Sequence, residues 1–255
     1  MSDLATIPTS KSEDWRYAPA NALAQIWPIA VEEIHVAAGG SDALTLVQDG
    51  GDRSGGGEPI ARQILLVLED HAEFDLTILN LGGTYSRIAV EARLGKASRL
   101  FIGGVQLAGA NDKLEIATEV THAEPDATSR QIIRSVAGGT ASATYLGKVR
   151  VERGADGSDG AQSVRAMLLS PTATANARPE LEIYADDVKC AHGCAVGELD
   201  AMGLFYLASR GIAPRQAKAL MLQAFIAEAL KGAADADNLH AQAQDRLSRL
   251  LEGEL

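Results

Sequence analysis

The chain has 255 residues, 46% of them hydrophobic and 22% charged, which is enough apolar material to bury a core without disulfide staples. Thirty-four acidic side chains against 23 basic ones leave a formal charge of -11. That balance opposes broad attraction to nucleic-acid phosphates or anionic lipid, and aromatics at 4% offer no stacking platform for single strands.

In chain order, Met1 to Tyr17 carries Asp3, Lys11, Glu13, Asp14 and Arg16 and has no apolar stretch of signal-peptide length. Apolar runs elsewhere are short, as at Ile64 to Leu68. A membrane span needs roughly 20 such residues, so the chain reads as cytoplasmic. Residues 1–60 form a mixed N-terminal segment interrupted by Gly50-Gly51-Asp52-Arg53-Ser54-Gly55-Gly56-Gly57. A run this polar and glycine-rich cannot bury enough apolar surface to order itself, and it reads as a mobile loop.

Residues 61–196 alternate with period two, which places every second side chain on one face of a strand. Phe74, Leu76 and Ile78 alternate, as do Ile88 and Val90, Leu114 with Ile116 and Val120, Val149 with Val151, Val164 with Leu168, and Leu181 with Ile183. Turn signals separate them at Gly82-Gly83, Gly95, Gly103-Gly104, Gly109 to Asp112, Gly138-Gly139 and Gly154 to Gly160. No helix-length pattern intervenes, which excludes a doubly wound α/β sheet and leaves a sandwich, a barrel or a β-helix.

Residues 197–255 change to helical periodicity. A helix over Glu198 to Arg210 places Leu199, Met202 and Phe205 or Tyr206 on one side, and Gly211 suits its left-handed end. Pro214 fits the first turn of a second helix carrying Leu220, Met221, Leu222, Phe225, Ile226 and Leu230. After Gly232, Asp235 or Asp237 can cap a third, containing Leu239, Leu247, Leu250 and Leu251. These apolar faces suit packing within the chain or the docking of a partner.

The densest group of chemically capable residues is Asp186-Asp187-Val188-Lys189-Cys190-Ala191-His192-Gly193-Cys194-Ala195-Val196. On an extended backbone Val188, Cys190, His192, Cys194 and Val196 share a face, so two soft sulfur ligands and an imidazole stand in a row. Neighbours in that row are about 6.8 Å apart, close enough for a pair to reach one metal. Cys190 and Cys194 are about twice as far apart, so all three meet one ion only if Gly193 bends the chain. The valine flanks equally suit burial in a core, where free cysteine is common. There is no phosphate-binding P-loop, no dinucleotide fingerprint and no G-x-S-x-G elbow, so no nucleotide is expected on this chain. Asp186 and Asp187 point to opposite faces if extended, and His35, His71, His122 and His240 are isolated.

The stretches Val188-Lys189-Cys190-Ala191-His192-Gly193, Val196-Gly197-Glu198-Leu199-Asp200, Leu204-Phe205-Tyr206-Leu207 and Ser209-Arg210-Gly211-Ile212 resemble the C-terminal signature of the SufB/SufD family. Leu220-Met221-Leu222-Gln223-Ala224-Phe225 continues it, and Ile7-Pro8-Thr9 with Glu13-Asp14-Trp15-Arg16-Tyr17 is similar to an early segment of SufD-like members. Ala191-His192-Gly193 is closer to the SufD than to the SufB branch.

The resemblance implies a right-handed parallel β-helix followed by a C-terminal α-helical domain, and a non-catalytic scaffold subunit of iron–sulfur cluster assembly. It further implies pairing with a SufB-like subunit through the β-helix ends, docking of a SufC-like ATPase on the helices, and a transient iron–sulfur cluster at the subunit interface. Carried over, His192 is the stronger candidate ligand, Cys190 a support, and Cys194, where the family commonly has a small residue, either a third soft ligand or a filler of the core. Leu204, Phe205, Tyr206, Leu222, Phe225 and Ile226 are the candidate docking residues. Against the family this chain is short, with an N-terminal helical region missing and fewer coils, which leaves a homodimer open beside the SufB-like heterodimer. Two other readings stand alongside. One is a stand-alone metal-binding module using Cys190, His192 and Cys194. The other is a β-helix enzyme for an acidic or sugar substrate, which needs acids such as Glu115, Glu119 and Asp187 to converge.

Overall fold

Period-two alternation sends one row of side chains inward and the next outward, and parallel pairing stacks like rows from rung to rung. A computed structural model describes residues 7–9, 11–50, 57–233 and 235–252. Its strands are β1 (Val31–Val36), β2 (Ser41–Gln48), β3 (Ile60–Leu68), β4 (Glu73–Asn80), β5 (Ser86–Leu94), β6 (Arg99–Ala108), β7 (Lys113–His122), β8 (Thr128–Ala137), β9 (Ser142–Val151), β10 (Asp159–Leu168), β11 (Thr174–Ile183) and β12 (Lys189–Gly197). Odd-numbered strands form one six-stranded sheet, β1-β3-β5-β7-β9-β11, and even-numbered strands the other, β12-β10-β8-β6-β4-β2. Every ladder is parallel and joins each strand to the one two places on, as where Arg99 to Ala108 lie opposite Thr128 to Ala137. The chain therefore crosses between facing sheets and returns one rung higher each time, which is a parallel β-helix.

The first rung starts at Val31, within the stretch read from sequence as a mixed segment over 1–60. Of β1 only Val36 is buried, because an end strand has no rung beneath it, and its alternation is correspondingly weak in the sequence. Residues 51–56 of the glycine-rich run lie outside the described residues.

The interior between the sheets is a stack of aliphatic rows, with Phe74, Leu76 and Ile78 above and below their equivalents Leu46, Leu100 and Ile102. Burial of each such side chain stabilises by about 1.5–3 kcal/mol. Toward the later rungs the filling becomes polar. Gln131 Oε1 accepts hydrogen bonds from Thr118 Oγ1 at 2.7 Å and from Tyr145 Oη at 3.0 Å, all three residues buried.

The outer face of the even-numbered sheet is also apolar, and the C-terminal helices cover it. Beyond the short α1 (Ala20–Ile26), the helices are α2 (Ala201–Ser209), α3 (Pro214–Ala227), a 3-10 turn at Glu228–Leu230, and α4 (Ala236–Glu252). Asp200 caps α2, accepting from the amides of Met202 and Gly203. Leu222, Ile226, Leu230, Leu239, Leu247 and Leu251 pack on Leu79, Val105, Leu107 and Val136. Two buried charges rivet this layer. Arg134 Nη2 lies 2.5 Å from Glu228, and Arg246 Nη2 lies 2.5 Å from Asp112. On the opposite sheet's outer face Arg87 pairs with Glu115 and its guanidinium lies 4.0 Å from the Trp15 ring centroid. None of the described helices is long and apolar enough to cross a membrane.

Candidate functional site

Among the described residues, nothing covers the last rung. β11 borders the open edge of one sheet and β12 that of the other, so two strands of 10 and 9 residues lie side by side at the end of the β-helix. On β10 the inward row is Gly160, Gln162, Val164 and Ala166, all buried. β12 pairs with β10 so that Cys190 stands on Gly160, His192 on Gln162, Cys194 on Val164 and Val196 on Ala166. The inward row of the fold thus ends in thiol, imidazole, thiol and valine, as the alternation predicts.

With no further rung above, inward no longer means buried. Cys190 is half-buried against the core, whereas His192 and Cys194 are exposed and Val196 is 48% exposed. The backbone is open as well. The Lys189 amide donates to Ser158 O at 2.8 Å, so odd-numbered residues of β12 bond to β10. By alternation the N–H and C=O groups of Cys190, His192, Cys194 and Val196 face the open side, a row of unpaired strand-edge groups. A strand edge of this kind accepts another strand.

No three of the described His, Cys, Asp and Glu side chains are grouped so as to hold a metal. Because β12 runs straight through Gly193, Cys190 and Cys194 do not converge on one ion. Burial pushes the Cys190 thiol pKa up, opposed by a hydrogen bond with the Gly160 backbone, so at neutral pH the sulfur is held as thiol while the rung is uncovered.

His122, read from sequence as isolated, lies beneath this rung. A Cβ added at Gly160 would sit 3.6 Å from both His122 Nε2 and Cys190 Sγ. His122 is fully buried and its Nε2 is 2.8 Å from Ser129 Oγ. Burial lowers its pKa to about 4 from 6.5, despite a raising hydrogen bond with the Ala127 backbone. The unfolded imidazole thus binds a proton first as pH falls. Stability from this group is full above pH 6.5, declines through the interval from 6.5 to about 4, and is lost below it. Thermal melts of the wild-type chain are expected to fall across that window, by about 3 kcal/mol at most. His122→Gln is expected to flatten the decline, and an unchanged pH slope would contradict the burial of a neutral imidazole.

The other singled-out residues are dispersed. His35, His71 and His240 are exposed, and Asp186 and Asp187 are exposed in a bend, not on a strand. Glu115 is consumed by Arg87, and Glu119 lies 3.5 Å from Arg150, so the acids of the enzyme reading do not converge.

On the helices, Met202, Phe205, Tyr206 and Leu220 are exposed at 72%, 69%, 58% and 43%. Leu204 and Phe225 are half-buried. Leu222 and Ile226, expected among the docking residues, are instead fully buried against the even-numbered sheet. The reason is the amphipathic face of α3, whose apolar side is taken up by the chain's own β-helix.

Comparison with known proteins agrees with this geometry. A family profile described as "SUF system FeS cluster assembly, SufBD core domain" matches residues 25–225. The chain is 33% identical over 194 residues to the iron-sulfur cluster assembly protein SufD of Escherichia coli, covering 76% of this chain and 45% of that protein. It is 32% identical over 165 residues to the chloroplastic protein ABCI7 of Arabidopsis thaliana, covering 64% of this chain and 35% of that protein. The chain thus spans less than half the length of these curated relatives. With the profile covering most of its residues, from the first rung to α3, the chain belongs to the SufBD family of iron–sulfur cluster assembly proteins.

Proposed function

We propose that the chain is a non-catalytic scaffold subunit whose open last rung is covered by a SufB-like subunit, with a nascent iron–sulfur cluster held across the seam. The single observation that carries this reading is the uncovered inward row Cys190, His192, Cys194 at an unpaired strand edge. One chain supplies too few converging donors for a closed site, and a cargo cluster that must later leave is better served by ligands divided between two molecules. His192 is the principal ligand in this reading, Cys190 its half-buried neighbour, and Cys194 a further thiol farther along the edge. The exposed Met202, Phe205, Tyr206 and Leu220 patch, with half-buried Leu204 and Phe225, receives a SufC-like ATPase. Nucleotide then belongs to that partner. The setting is the cytoplasm.

Pull-down of the tagged chain from its host, with identification of the associated chains and iron analysis, tests this. A SufB-like subunit and an ATPase are expected, and His192→Ala is expected to lower iron per complex by about tenfold. Full iron in that variant would remove His192 from the site, and absence of both partners would overturn the scaffold reading.

A further inference from the structure

The residue directly beneath His192 is Gln162, and no hydrogen-bond partner holds it among the described residues. Gln162 is 3% exposed. Both its Oε1 and Nε2 are buried and have no hydrogen-bond partner among the described residues. A buried, unsatisfied amide costs about 1–3 kcal/mol, so it marks a place where a partner is expected. The register puts Gln162 opposite His192 on the adjacent strand, with both side chains in the inward row. Adjacent strands are about 4.8 Å apart, within reach of the two side chains by rotamer adjustment. Below it, Gln131 occupies the equivalent position on β8 and already accepts from Thr118 and Tyr145 through its oxygen.

We propose that Gln162 is the positioning residue for His192, accepting the Nδ1–H of its imidazole on Oε1 when the last rung is covered, so that Nε2 is free to ligate iron. Imidazole ligands depend on such a partner for tautomer and ring orientation. In the uncovered chain water competes for the exposed His192, and the Gln162 amide is left unpaired. Covering the rung excludes that water and leaves the Nδ1–H facing Gln162. The inference rests on the scaffold reading, because it needs a covered rung and a ligand on Nε2.

A double-mutant cycle on the co-purified complex, read as iron per complex, tests it. Gln162→Met removes the hydrogen-bonding atoms at similar volume and is expected to lower iron by about tenfold. In a His192→Ala background the same substitution is expected to lower it no further, since Gln162 acts through His192. Gln162→Glu, which keeps an acceptor at the same reach, is expected to retain most of the iron. The melting temperature of the isolated Gln162→Met chain is expected to be no lower than wild type, because two unsatisfied atoms are removed. If that variant fails to fold, Gln162→Leu takes its place in the cycle. Wild-type iron in the Gln162 variant, beside a loss in His192→Ala, would overturn the positioning role and leave the scaffold reading standing. Additive losses would likewise overturn it, and full iron in His192→Ala would remove both.

Discussion

An Arg246→Met chain is expected to unfold about 3–5 kcal/mol more easily than wild type in urea, the cost of leaving one partner of a buried pair uncompensated. Arg246 on α4 reaches through the apolar layer to Asp112 at the turn before β7 and donates from Nε to Leu107 O at 3.1 Å. Both residues are nearly fully buried, at 6% and 5% exposure. Asp112 also accepts from the Gly109 amide at 3.0 Å and the Gly83 amide at 3.3 Å, so it ties two turns of the β-helix to the last helix. Burial raises the Asp112 pKa, and the Gly109 hydrogen bond and Arg246 oppose it. Without the guanidinium that balance shifts toward the protonated acid, which limits the loss. An Arg246→Met/Asp112→Asn double variant is therefore expected to recover part of it. Equal midpoints for Arg246→Met and wild type would show that α4 is not fastened here.

Gly103→Val is expected to be comparably severe, at about 3 kcal/mol or more, by detaching the helical layer from the sheet. Gly103 faces outward on β6, and a Cβ there would fall on the backbone carbonyl oxygen of Ala229 in the 3-10 turn. A backbone atom cannot swing aside as a flexible side chain can, so the turn must lift. Leu230, Leu222 and Ile226 lift with it. The expected signature is a lower melting temperature with strand content retained in circular dichroism, because the β-helix interior does not include these residues. A chain with wild-type stability would contradict the close approach of turn and sheet.

The rungs were legible in the sequence because a β-helix repeats one pattern many times: alternating apolar residues ended by glycine-rich turns, as at Phe74, Leu76 and Ile78. Which all-β architecture they build was not legible from periodicity, since alternation is the same in a sandwich. The resemblance carried by Val188 to Phe225, with the early Glu13 to Tyr17 segment, selects the β-helix. The placement of Cys190, His192 and Cys194 in one row followed from the two-residue period alone. That Val196 and His192 are exposed did not, because exposure depends on the absence of a further rung, which is a property of the whole stack. The same holds for His122 and Gln162. Each is a single polar residue in a strand: the pairing of β10 with β12 brings Gln162 beneath His192, and His122, at the end of β7 in the facing sheet, comes near the row through its approach to Gly160. The burial of Leu222 and Ile226 is hidden from the sequence for a related reason. A helix's apolar face is visible in sequence, but not whether its own chain or another covers it.

The scaffold proposal makes the last rung a docking edge. Hydrogen–deuterium exchange of the chain with and without a SufB-like subunit tests it most directly, read at peptides covering β11 and β12. The account predicts that amides of Cys190, His192, Cys194 and Val196 exchange rapidly in the free chain and become protected on binding, with α2 unaffected until an ATPase is added. Unchanged exchange over Lys189–Gly197 in a complex that has demonstrably formed would contradict it.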